Sequence, residues 1–82
     1  MQNFPNPFNP STQIAFSIGE ASLVSVQLFD VLGHEVATLV NERMQPGRYT
    51  ITWNAKHSPS GMYFYRLQAG AFSETKKLLL LR

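Results

Sequence analysis

The sequence predicts an all-β protein, an immunoglobulin-like antiparallel β-sandwich of about six or seven short strands. Three observations carry that expectation. Apolar and polar side chains alternate with a period of two in several stretches, as half-buried strands require. Gly19, Gly33, Gly47 and Gly61 recur at one constant spacing, room for one strand and one turn per step, although the residues between them do not repeat. No stretch shows the 3.6-residue period of an amphipathic helix. A closed barrel of similar size is the alternative.

The chain opens on a lead-in, residues 1–12, that no helix can occupy. Pro5, Pro7 and Pro10 lack amide donors and push each preceding residue toward extended geometry. Phe4 and Phe8 are its packing residues. The single sandwich domain is expected over residues 13–82. Its first strand sets Ile14, Phe16 and Ile18 against Gln13, Ala15 and Ser17. The second sets Val24, Val26 and Leu28 against Ser25 and Gln27. Asp30-Val31-Leu32-Gly33 then reads as a hairpin turn with Gly33 in the left-handed conformation. Residues 35–40 read equally as a short strand or an irregular turn. Gln45-Pro46-Gly47-Arg48 has the form of a type II turn. Tyr49, Ile51 and Trp53 alternate with Thr50, Thr52 and Asn54, which places Trp53 in the core between the sheets. Ser58-Pro59-Ser60-Gly61 fits a type I turn. Tyr63, Tyr65 and Leu67 follow, with Phe64 making that strand apolar on both faces. Ala69-Gly70 turns the chain into a last strand over residues 75–81.

Composition narrows the function. A chain of 82 residues is one small domain, and nearly all its apolar side chains are needed for one core. With 44% hydrophobic and 15% charged residues, it is too apolar for a disordered tail. The absence of cysteine excludes disulfides, thiolate metal sites and a cysteine nucleophile. A net charge of +2 is far from the dense basic face of a nucleic-acid binder. No apolar run approaches the ~20 residues of a bilayer-spanning helix. The opening residues form no signal peptide, as expected of a domain cut from a longer protein.

Catalytic chemistry finds no support. His34 lies near Asp30 and Glu35, but these lack ligand spacing and read as a solvated turn. His57, beside Lys56 and Ser58, reads as surface loop. Ser58 and Ser60 lack a nucleophile elbow, no carboxylate pair recurs on a strand face, and the glycines are too scattered to cradle a phosphate. The sequence therefore predicts no enzyme, cofactor or metal. Phe29 and Phe64 are the aromatics left for an exposed or half-exposed face, where a sugar could stack.

The C-terminal segment Thr75-Lys76-Lys77-Leu78-Leu79-Leu80-Leu81-Arg82 sets basic residues on either side of a leucine run. It reads as a final strand with charged gatekeepers, or as a recognition element presenting its backbone edge.

The residues then resemble a known family. Phe4-Pro5-Asn6-Pro7-Phe8-Asn9-Pro10-Ser11-Thr12 with Ile14 and Phe16 is similar to the start of the C-terminal sorting domain (type A) of type IX secretion cargo. So are Val26 through Leu39, Pro46-Gly47-Arg48-Tyr49 leading to Trp53, Ser60 through Leu67, and Lys76-Lys77 before the leucines. The immunoglobulin-like domain of flagellar hook-capping proteins is the nearest competitor. The proline-rich opening and Lys-Lys-apolar ending favour the sorting domain. His34 stands where the family often has Arg or Lys.

The resemblance implies a non-catalytic module at the end of a larger cargo protein. It implies passage through the periplasm and across the outer membrane to the cell surface or outside. The implied partners are the type IX translocon with its shuttle proteins, and a sortase-like peptidase. The translocon-recognition residues carried over are Gly33, Gly61, Lys76, Lys77, Leu78, Leu79, Leu80, Leu81 and Arg82. For the two glycines, backbone geometry alone is an equal reading. Deletion of residues 76–82 is expected to abolish export of an attached reporter. The competing function is a structural or adhesive module retained in the mature protein, carbohydrate binding included.

Overall fold

The computed structural model describes the backbone of Asn3–Phe4 and residues 11–81 in full. All regular structure among them is strand: β1 (Asn3–Phe4), β2 (Ser11–Ile18), β3 (Ser22–Asp30), β4 (Glu35–Met44), β5 (Gly47–Asn54), β6 (Gly61–Ala69) and β7 (Phe72–Leu80). Every pairing is antiparallel. One sheet has the order β1-β2-β5 and the other β4-β3-β6-β7. The sandwich expected from the alternation is the fold observed.

Alternation decides which face each strand buries. In β2, Thr12, Ile14, Phe16 and Ile18 point inward while Ser11, Gln13, Ala15 and Ser17 are exposed. Opposite them come Val24, Val26 and Leu28 of β3, Tyr63, Tyr65 and Leu67 of β6, and Leu78 and Leu80 of β7. Trp53 of β5 is only 5% exposed, and its indole meets the Tyr63 ring edge-on at 5.2 Å between centroids. That contact joins the two sheets, and such a geometry favours an aromatic pair beyond simple burial. Phe16 and Tyr49, register partners within one sheet, stack at 5.6 Å.

The connections differ from expectation in three places. Gln45-Pro46 does not close a type II turn. Gly47 takes φ 153° rather than the roughly +80° of that turn and already opens β5, because here the chain crosses from one sheet to the other. The Tyr49 hydroxyl donates to the Gln45 carbonyl at 2.6 Å and fixes this crossing. The hydrogen-bonded turn before β6 is Ala55–Ser58, with the Ser58 amide on the Ala55 carbonyl at 3.0 Å, not Ser58–Gly61. Finally, β2 begins at Ser11, inside the expected lead-in, and Thr12 is buried. Residues 5–10, with the three prolines and Phe8, lie outside the described residues, as does the Phe4 side chain.

Two strands are longer than the sequence suggested. The uncertain stretch 35–40 lies within the ten-residue β4. Against β3 it slips register twice, between Val26 and Gln27 and between Leu28 and Phe29, leaving Leu39 and Val36 as extra residues. Each bulge shifts the inward set by one position and erases the period of two. β7 begins at Phe72, three residues before the leucine-based estimate.

Candidate functional site

Strand register gathers several of the sequence-predicted residues at one end of the four-stranded sheet. Asp30 at the end of β3 pairs with Tyr63, and Gly61 at the start of β6 pairs with Leu80 at the end of β7. The β3–β4 turn, Gly61 and Leu81 therefore project from the same end. β3 and β7 flank β6, so the outer two features stand about 10 Å apart, two interstrand spacings.

Asp30 builds the β3–β4 turn. Its main chain exchanges bonds at 3.0 Å with Gly33 N–H and the His34 carbonyl. Its Oδ1 accepts the Leu32 and His34 amides, each at 2.9 Å. The His34 amide bond, then that from Leu32 and the facing imidazole, hold the Asp30 carboxyl below its ordinary pKa despite some desolvation. Gly33 takes φ +86°, and a Cβ added there would meet no atom within 4 Å. Backbone conformation alone demands glycine. The turn displays Val31 and Leu32, 64% and 76% exposed, at positions that polar turn formers usually fill.

The loop before Gly61 is pinned by Tyr63, whose hydroxyl donates to the Pro59 carbonyl four residues upstream at 2.6 Å. This is the tyrosine corner of immunoglobulin-like sandwiches. Because the same ring packs on Trp53, the loop is tied to the core.

The last strand divides by side. Leu78 and Leu80 are wholly buried. Lys76 also points inward, as the register partner of buried Tyr65, and pairs with Glu74 at 3.6 Å, both side chains a little under a third exposed. Burial, and secondarily the Glu74 charge, push the Tyr65 phenol up to about 12. Inward charges on an edge strand discourage further sheet growth. Lys77 and Leu79 face outward, Leu81 is exposed at the strand's end, and Arg82 lies outside the described residues. Side-chain contact with a partner is thus open to Lys77, Leu79 and Leu81 in the folded state, while Leu78 and Leu80 hold the strand in place.

The outer face of the same sheet carries Phe29 and Phe64 as directly opposed partners, both half-buried. The Arg66 guanidinium lies 4.9 Å from the Phe29 ring centroid. The Arg66 cation thus covers part of the Phe29 ring. Met62 and Leu79, also register partners, continue the apolar surface toward the strand ends. Sequence reasoning singled out the two phenylalanines but not Met62, Val31 or Leu32. The alternation assigned Met62 to no face, and turn chemistry gave no reason to expect aliphatic residues at a tip.

At the opposite end, the loops between β2 and β3 and between β6 and β7 frame an open depression of about 640 Å³. Glu20 is its one ionisable lining residue, so it offers no acid–base pair. Among the described residues no cluster of three His, Cys, Asp or Glu could hold a metal ion. His34 stands in the exposed turn and His57 in an exposed loop. No helix long and apolar enough to cross a membrane is found among the described residues.

The family model described as "Secretion system C-terminal sorting domain" matches residues 2–81. No curated protein and no solved structure matches the chain.

Proposed function

The chain belongs to the family of secretion system C-terminal sorting domains, and from that membership we propose that it is the address by which a type IX translocon exports an attached cargo protein. The single observation that carries this reading is the family match over nearly the whole chain. A sorting domain of this family marks a secreted protein that travels to the cell surface or outside. The translocon with its shuttle proteins, and a sortase-like peptidase that removes the domain, are the proposed partners.

The geometry supports an address read by shape rather than a site of reaction. A translocon must distinguish this domain from other folded proteins, and rigid display lowers the entropic cost of being recognised. The end bearing the Asp30-braced turn, Gly61 and the β7 terminus meets that need. Within it, Gly33 and Gly61 set backbone shape, Lys77, Leu79 and Leu81 present side chains, and Leu78 and Leu80 anchor the strand. Lys76 acts from inside the sandwich, through its pair with Glu74.

The test is a fusion of residues 1–82 to the C-terminus of a periplasmic reporter in a type IX-competent cell. The reporter is expected at the surface or in the medium, and to stay periplasmic in a strain lacking the translocon. Intact fusion retained in the periplasm of the competent strain would refute the reading.

A further inference from the structure

In a two-layer sandwich the outward positions of a sheet face water and are ordinarily polar. The four-stranded sheet obeys this over only half its length. Far from the Gly33 turn, its outward positions include Ser25, hydrogen-bonded to Gln68 at 3.4 Å, with Ser73 and Thr75 alongside. Near the turn, Phe29, Phe64, Met62 and Leu79 occupy outward positions on three neighbouring strands. They are half-buried by their own neighbours, and no third layer of described residues lies over the sheet. Apart from the lone Leu23, the outward apolar residues of these three strands gather at this one end. Folding does not need this, because the core is complete beneath it.

We infer that Phe29, Met62, Phe64 and Leu79 form a docking surface for a protein partner whose contact region is apolar and fringed by carboxylates. The occupant is argued from charge. Two cations border the apolar group, Arg66 over the Phe29 ring and exposed Lys77, the register partner of Phe64, against one carboxylate, Glu35, the register partner of Phe29, whose oxygens accept from Gln27 and Thr38. Apolar contact supplies the burial, and acidic groups opposite Arg66 and Lys77 fix orientation and speed encounter. A second copy of this chain would bring the same excess of cations to the same face, which disfavours self-association. This inference rests on the sorting reading and deepens it. It assigns the grip of the secretion machinery to the face of the β3-β6-β7 strands, beside the chain terminus.

The reporter fusion tests it with four variants. Lys77→Glu reverses an exposed charge and leaves the core untouched. Export is expected to fall about tenfold or more, as charge reversal at an interface rim slows association. Met62→Ser with Leu79→Ser removes apolar contact and is expected to lower export at least as far. Leu23→Ser, exposed on the polar half of the same face, is expected to export at the parental rate. A photoactivatable residue at position 79 is expected to cross-link to a protein of the secretion machinery, and one at position 23 is not. If the parental fusion is not exported, the sorting reading fails. If it is exported and Lys77→Glu and the double variant match its rate, the docking surface is refuted and the sorting reading stands. Cross-linking at position 79 only to lipid or to another copy of the fusion also refutes it. Should the double variant fail to fold, Lys77→Glu and the cross-link decide.

Discussion

The tyrosine corner offers a clean test of how the end bearing Gly61 and the β3–β4 turn is held. Tyr63→Phe removes one oxygen, and with it the 2.6 Å bond to the Pro59 carbonyl. The ring's edge-on contact with Trp53 stays. Pro59 is exposed, so its freed carbonyl rehydrates and no buried acceptor is stranded. The loss is then the net value of one hydrogen bond, about 1 kcal/mol. At ~2.1 cal/mol/K per residue, a chain of 82 residues unfolds with an entropy of about 170 cal/mol/K, so the melting temperature should drop about 6 °C. Tyr49→Phe is the internal control. Its bond to Gln45 is equally short but lies at an exposed crossing, so a drop of about half that size is expected. Urea unfolding followed through Trp53, the single tryptophan, reports both. The midpoint should move and the slope stay constant. A Tyr63→Phe midpoint equal to the parent's, or a larger shift for Tyr49→Phe, would refute the claim that this corner ties the loop before Gly61 to the core.

Three further outcomes are expected. Leu78→Ala should cost about 2–5 kcal/mol because the side chain is wholly buried, while Leu81→Ser, half exposed, should stay within about 0.5 kcal/mol; urea midpoints separate them. Gly33→Ala should cost about 1–2 kcal/mol through its φ of +86° alone, and hydrogen exchange should locate the loss at the 30–34 turn. The Tyr65 phenol sits near 12 in the fold against about 10 unfolded, so its contribution is complete below pH 10 and is lost as pH climbs toward 12. Tyr65→Phe should flatten that alkaline decline in stability, read as urea midpoints against pH.

The strands that sequence made legible are those whose inward and outward sets stay in step. β2 alternates exposed and buried positions along its whole length, and β5 pairs with it in unbroken register. β4 was illegible because two bulges displace its apolar residues, leaving Leu39 and Val40 both half-buried. The first three residues of β7, Phe72 to Glu74, were missed for another reason: an inward position among them holds Glu74, paired with the inward Lys76 beside Tyr65. Hydropathy cannot reveal an inward-facing charge pair. At the candidate site, the Gly33 turn was legible from local chemistry, since Asp and Gly each have one reason to stand there. The gathering of Gly33, Gly61 and Leu81 at one end was not, because it depends on which strands pair. The outward apolar group was visible only in part, as Phe29 and Phe64, for the same reason.

The fold also changes how the terminal segment must be tested. Deleting residues 76–82 removes Leu78 and Leu80, each wholly buried, along with any recognition surface. Two such losses, at about 2–5 kcal/mol each, rival the ~4–12 kcal/mol total stability of a domain of 82 residues. Loss of export after that deletion would therefore follow from unfolding alone. Point substitutions separate the two causes because β7 alternates. Lys77 and Leu79 point outward and Leu81 is exposed, whereas Leu78 and Leu80 face the core. If the address is read on the folded surface, Lys77→Glu should block export at an unchanged urea midpoint. Leu78→Ala should then block it only in proportion to the fraction unfolded, and cooling should restore export. If instead Leu78→Ala blocks export while the domain remains folded, the buried leucines are themselves read, and the machinery must open the sandwich to read them.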